Sequence, residues 1–318
     1  MVAGIDIGGS GTKACVVADS RILATASVRT VSAAAESLGD VAVSVLGSAL
    51  AEVGIGLADI DSIGLGVPGQ VSDGVVRNAA NLGIGEAGFD LGGYVSSATQ
   101  VPAFVENDMR VAALGAYTQS VDIDPSIENL IYVGLGTGVS AGVILRGQVF
   151  RGSRGLAGEF GHVPMGTGLA CACGSVGCLE TVIGAAGLRQ AWGGETGSAL
   201  FGSAANGDVR ARDLVDTTID YLAQAMWWLA ATYDPDIFFI GGGMAAATPS
   251  ITALLADRWL EMAASSALAR RVLDPDRIRL YDLEEPVGAY GAALLAAAHR
   301  DRSGQRQETA NWEEEPIP

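Results

Sequence analysis

The chain is 318 residues long, carries a formal net charge of −17, and is 49% hydrophobic. That length exceeds one typical compact core and predicts two packed lobes, while the apolar fraction excludes a disordered chain. The acidic balance argues against nucleic acid and anionic membranes as partners, and the 44 glycines fall in short clusters rather than in a collagen-like repeat.

No basic leader or cleavage site precedes the first apolar run, Met1 to Ile7, and the apolar stretch Ala292 to Ala298 is far too short to cross a bilayer. A cytoplasmic protein is expected. Three of the four cysteines lie within eight positions. In a reducing compartment that spacing points to a metal rather than to disulfides.

Taken in chain order, residues 2–7, 14–18 and 22–28 read as short strands, with a glycine turn between the first two. Residues 36–53 have a helical period. Ser62 to Val67 is a buried strand that ends at Pro68-Gly69, and Val101 to Val105 is another, followed by a helix over about 109–119. The pattern then restarts: a strand at Asn129 to Gly134, a turn at Gly136-Thr137-Gly138, and a returning strand at Ser140 to Leu145. Residues 158–180 show neither period. A helix over 213–232, a buried strand Ile237 to Ile240, a helix over 250–264, a strand Ile278 to Tyr281 and an Ala-rich helix over about 287–300 complete the set. Residues 301–318 are polar and acidic and are expected to form a disordered tail.

Five segments carry chemistry. In the first, Asp6 precedes Gly8, Gly9, Ser10, Gly11 and Thr12. Backbone N–H groups of so glycine-rich a hairpin can close around phosphate oxygens, Ser10 and Thr12 can add hydroxyls, and Asp6 can hold Mg²⁺ through water. A tight turn with a capping Asp is an equal reading. Gly136, Thr137 and Gly138 form the equivalent second turn. Gly241, Gly242 and Gly243 follow a buried strand and let a flat group such as adenine lie against the backbone. In the fourth segment, Glu106-Asn107-Asp108 ends a strand, where ligands bind in α/β sheets. Asp108 there is either a general base or a helix cap. In the fifth, His162 with Cys171, Cys173 and Cys178 supplies a closed tetrahedral set for structural Zn²⁺. Cys15 reads as a core residue, and His299 is expected to face solvent.

These segments resemble, in their order, those of ROK-family sugar kinases, within the actin-like and hexokinase-like ATPases. The most specific stretches are Gly158-Glu159-Phe160-Gly161-His162 and Cys171-Ala172-Cys173-Gly174-Ser175-Val176-Gly177-Cys178-Leu179-Glu180. Gly66-Val67-Pro68-Gly69 matches a further family segment. The resemblance covers Asp6 to about Gly291. It implies an α/β, two-lobed actin-like ATPase (ribonuclease H-like) fold with an interlobe cleft. Its smaller lobe would comprise residues 1–118 plus about 288–300, and its larger one 119–287.

It also implies transfer of a phosphoryl group from ATP with Mg²⁺ to the 6-hydroxyl of a hexose, with Asp108 as base. Gly69, Asn107, Asp108, Glu159, His162 and Glu180 would contact the sugar, and the glycine hairpins and Gly241 to Gly243 would hold the nucleotide. A homodimer or higher homo-oligomer is implied too. Glucose is the first expectation. However, Gly69-Gln70-Val71-Ser72 lacks an acid, and Asn81-Leu82-Gly83-Ile84 lacks an aromatic, that glucokinases of the family often carry. These departures leave N-acetylglucosamine or mannose open. Polyphosphate as donor and a non-catalytic sugar-binding role are the remaining alternatives. The family's transcriptional repressors carry a helix-turn-helix domain ahead of the first hairpin, for which the segment before Asp6 leaves no room.

Overall fold

The computed structural model describes residues 1–9, 11–30, 35–79, 82–193, 197–281 and 286–310, with backbone alone for 197–198 and 301–310. Ser10, Asn81 and the end of the expected tail, 311–318, lie outside the described residues. The chain divides into two compact units, one made of residues 1–115 and 284–318, the other of residues 116–283.

The first unit opens with three strands, β1 (Val2–Ile7), β2 (Thr12–Ala18) and β3 (Arg21–Val28). Helix α1 (Ala35–Val53) and strand β4 (Ser62–Val67) follow. Residues 70–99, which periodicity leaves unassigned, form short strands β5 (Gln70–Ser72), β6 (Val75–Arg77) and β7 (Phe89–Asp90) and helix α2 (Leu91–Thr99). Asp90 caps α2 by accepting from the Gly93 N–H at 2.8 Å. Strand β8 (Ala103–Asn107) leads directly into α3 (Asp108–Ile123).

The main sheet runs β3-β2-β1-β4-β8. The β1–β2 hairpin is antiparallel, whereas β1, β4 and β8 are mutually parallel neighbours. One face is sealed by Ile5, Ile7, Leu38, Leu46, Ile63 and Leu65, the apolar stripe of α1 against inward strand residues. A central strand buried on both faces reads as a continuous apolar run, as β1 and β4 do.

The second unit contains β9 (Leu130–Leu135), β10 (Val139–Leu145) and β11 (Gln148–Val149). Four helices come next: α4 (Glu180–Ile183), α5 (Ala185–Trp192), α6 (Gly197–Ala205) and α7 (Val209–Tyr233). Then come β12 (Ile237–Gly241), α8 (Gly243–Ala246), α9 (Ile251–Ala263), α10 (Ala269–Val272) and β13 (Ile278–Leu280). Its sheet runs β11-β10-β9-β12-β13. The core lies between this sheet and α7 and α9. Trp259 is fully buried there, edge-on to Phe238 at 5.6 Å, and donates its indole N–H to the Ala223 carbonyl at 3.1 Å.

The chain returns to the first unit with α11 (Val287–Ala310). Its backbone runs helical to Ala310, where Arg, Gln, Glu and Ala supply good helix formers and Pro is absent. The helix corrects one expectation. His299 is half-buried and stacks on Phe104 with ring centroids 4.4 Å apart, since that face of α11 packs on β8.

Candidate active site

In the first unit, three parallel strands end level with one another. Asp6 of β1 pairs in register with Gly66 of β4, which pairs with Glu106 of β8. The carboxylate-bearing ends of β1 and β8 therefore meet around a residue without a side chain. A Cβ on Gly66 would lie 3.7 Å from Asp6 Oδ1 and 3.6 Å from the Asp108 Cα. Burial drives the carboxyl of Asp6 up to about 6, against the opposing charge of Lys13. Lys13 sits directly across the hairpin from Asp6, is exposed, and is the sole lysine in the chain. The turn itself is closed by the Gly8 N–H donating to the Gly11 carbonyl at 3.0 Å, with Gly9 exposed at its tip. Thr12 departs from the sequence expectation of a hydroxyl offered to phosphate. It is fully buried on β2, and its hydroxyl shares a 2.9 Å hydrogen bond with that of Thr30.

At the end of β8 the capping role falls mainly to Asn107, one residue before Asp108. Asn107 Oδ1 accepts from the N–H groups of Met109 at 3.0 Å and Arg110 at 3.3 Å, which satisfies the start of α3. Asp108 Oδ1 accepts from the Met109 N–H at 2.9 Å. The amide of Asn107 also donates to the Gly69 carbonyl at 3.2 Å and so ties the Pro68-Gly69 turn to the strand end. Beneath them, Glu106 and Arg110 form a 2.7 Å ion pair with side chains 6% and 1% exposed. In the sequence Glu106 reads only as part of its segment, with no role of its own, and Arg110 is not singled out. Their i, i+4 spacing was readable, but nothing in the spacing distinguishes a buried pair from a surface one.

The second unit carries its own set. The β9–β10 turn closes with the Gly136 N–H donating to the Gly138 carbonyl at 3.0 Å, Thr137 being exposed. Glu180, the first residue of α4, places Oε2 3.1 Å from the Val139 N–H, which donates to it. A Cβ at position 138 would stand 2.2 Å from Glu180 Oε2 and would displace that carboxylate. Gly158 likewise adopts φ +100° and lies against the free half of β10, where its carbonyl accepts from the Ala141 N–H at 2.9 Å. The strand thereby fixes the Glu159 to His162 segment. Gly241 ends β12, and Gly242, with φ +90°, and Gly243 are exposed beyond it, at the start of α8.

The four predicted metal ligands converge. One donor atom from each of His162, Cys171, Cys173 and Cys178 lies within 4.8 Å of every other. Cys173 Sγ is 3.7 Å from Cys178 Sγ, and Cys171 Sγ is 3.8 Å from His162 Nδ1. Tetrahedral zinc with bonds of about 2.3 Å to sulfur requires ligand separations of roughly 3.8 Å, so the donor set fits Zn²⁺ in both chemistry and size. Burial, reinforced by the neighbouring thiols, pushes Cys178 up to about 12, whereas the Ser175 N–H holds Cys173 low. The other ring nitrogen of His162, Nε2, lies 3.8 Å from Glu159 Oε2. Cys171 Sγ lies 4.0 Å from Glu180 Oε1. The metal ligands and the carboxylates of Glu159 and Glu180 are therefore direct neighbours.

The model of the ROK family matches residues 2–299. The chain belongs to the ROK family. Among its ROK relatives, a glucokinase of Halalkalibacterium halodurans is 29% identical over 79% of this chain and 81% of its own. An N-acetylmannosamine kinase of Escherichia coli O9:H4 is 29% identical over 94% of each chain. Among solved structures, the ROK family glucokinase of Streptomyces griseus, in complex with glucose and AMPPNP, matches with a TM-score of 0.78 and 27% identity. That match covers 93% of this chain and 99% of the other. The actin-like ATPase fold and the sugar kinase class follow from these matches.

Proposed function

We propose that this ROK sugar kinase phosphorylates a hexose at its 6-hydroxyl, with ATP as donor, glucose as first substrate and Asp108 as general base. The observation that carries the reading is the division of labour at the end of β8. Asn107 Oδ1 takes the Arg110 N–H and shares the Met109 N–H with Asp108, so the helix start does not rest on the Asp108 carboxylate alone. A general base must lie within hydrogen-bond reach of the hydroxyl it deprotonates, and the end of a parallel strand is where an α/β sheet presents such a group. Asn107, Gly69, Glu159, His162 and Glu180 are assigned to the sugar's other hydroxyls. The two glycine turns are assigned to the phosphates and Gly241 to Gly243 to adenosine.

Mg²⁺ bound with ATP would neutralise the charge that develops on the transferred phosphoryl group, and Asp6 would hold it through water. His162, Cys171, Cys173 and Cys178 would hold a structural Zn²⁺. Ligation through Nδ1 would leave the Nε2 proton of His162 to donate toward the sugar, so the metal would orient the ring that reads the substrate. The Streptomyces griseus complex, which contains glucose and an ATP analogue, supports both substrates. The kinship with an N-acetylmannosamine kinase supports a C2-substituted amino sugar as the second reading. A homodimer or higher homo-oligomer in the cytoplasm completes the proposal. Among the described residues no helix is long and apolar enough to cross a membrane.

The test is an ADP-release assay over glucose, mannose, N-acetylglucosamine and N-acetylmannosamine, with ATP and then polyphosphate. Glucose with ATP should give the highest kcat/KM, and Asp108→Asn should lower kcat by about 10³-fold while sugar binding persists. Near-normal turnover by Asp108→Asn would remove Asp108 as base. Turnover with none of these sugars would favour a binding protein.

A further inference from the structure

We propose that the buried Glu106–Arg110 pair is a positioning device for Asp108, an inference that rests on the reading of Asp108 as base. Arg110 is among the largest fully buried side chains among the described residues, and it lies half a turn beyond Asp108 on α3. Glu106 Oε1 accepts from two donors, the Asn107 backbone N–H at 2.9 Å and Arg110 Nη1 at 2.7 Å. One carboxylate oxygen thus binds the strand residue before Asp108 to the helix residue after it. The Asn107 side chain repeats the arrangement from the other side, accepting from Met109 and Arg110 and donating to Gly69. The backbone on both sides of Asp108 is therefore tied through side chains, and the strand-to-helix junction has little freedom to rotate the carboxylate away.

Energetics argue that stability alone does not account for the pair. Two charges taken out of water lose their hydration, and replacing a buried ion pair by apolar residues of similar volume is often neutral or stabilising. A small displacement of a reacting group, by contrast, lowers a rate by up to roughly 10²-fold. Arg110 and Glu106 are positioning residues in this account; neither is assigned to the substrate.

The test compares Glu106→Leu/Arg110→Met with wild type and with Asp108→Asn. The single variants each leave one buried charge and should lose thermal stability. The double variant should recover a Tm within a few degrees of wild type and keep its Kd for the sugar within threefold, yet lose kcat by 10- to 100-fold. A double variant with kcat within threefold of wild type overturns the proposal. Should it not fold, Arg110→Lys serves instead. That variant keeps the charge on a differently shaped head group, and a fivefold or greater fall in kcat at unchanged sugar Kd supports positioning, whereas wild-type kcat overturns it. Asp108→Asn separates the two ideas. Full activity there sinks the base, while an inactive Asp108→Asn beside a fully active double variant sinks only the positioning role.

Discussion

Asp6 illustrates a single residue held at a disadvantage. Its carboxyl titrates near 6 instead of the ordinary 3.8 because it is desolvated where β1 ends. Between about pH 4 and pH 6 the folded chain therefore holds a proton that the unfolded chain has released. The contribution of this group to stability falls as pH rises through that window, and the penalty is complete above about 6. Asp6→Asn should raise the Tm of the nucleotide-free protein by a few degrees at pH 7.5, leave it unchanged at pH 4, and lower kcat by 100-fold or more. Calorimetry at the two pH values checks this, and a lower Tm at pH 7.5 would contradict it. At this scale the sequence was informative where chemistry and spacing coincide, as for His162 and the three cysteines. It was silent where one residue takes another's role. Asn107 rather than Asp108 caps α3, and Thr12 turns its hydroxyl to Thr30, because rotamer choice leaves no trace in spacing.

Among the elements, α11 lies unusually close to the sheet beneath it. Its backbone rests on Gly4 of β1 and Gly64 of β4, where an added Cβ would stand 1.8 Å from the Ala289 oxygen and 1.7 Å from the Ala292 oxygen. Gly64→Ala must push the helix away from two strands at once. Overpacking of this kind should remove about 3 kcal/mol and lower Tm by roughly 10 °C; an unchanged Tm in a thermal melt would show that the helix yields freely. Long elements with a clear period were legible: β4 has the bounds expected of it, and α1 differs by one residue. Strands β5 to β7, two or three residues each, are too short to show an alternation, and α2 is rich in Gly and Ser, which periodicity does not register.

For the whole molecule, the fold class came from the resemblance to the ROK family, and the strand and glycine-turn order pointed only to a pattern that restarts. Each unit does carry a five-stranded sheet that opens with a hairpin. The unassigned stretch 158–180 is explained by the same view. It has little core of its own, and its order depends on β10, on Glu180 and on the metal ligands. Metal analysis should find one zinc per chain. Chelation should speed proteolysis between residues 158 and 180 and weaken sugar binding about 10-fold or more, while the first unit keeps its protection against hydrogen exchange. Protease resistance of that segment after complete zinc removal would exclude a structural role for the metal.

The lone lysine opposite Asp6 has a practical consequence at this scale. Lys13 is the one lysine in the sequence, so an amine-reactive reagent has a single side-chain target. A fluorophore coupled to that side chain should sit beside the first glycine hairpin without any engineered cysteine, and so without disturbing the thiols of the metal site. The protein comes with its own address for an optical probe of the nucleotide site proposed there.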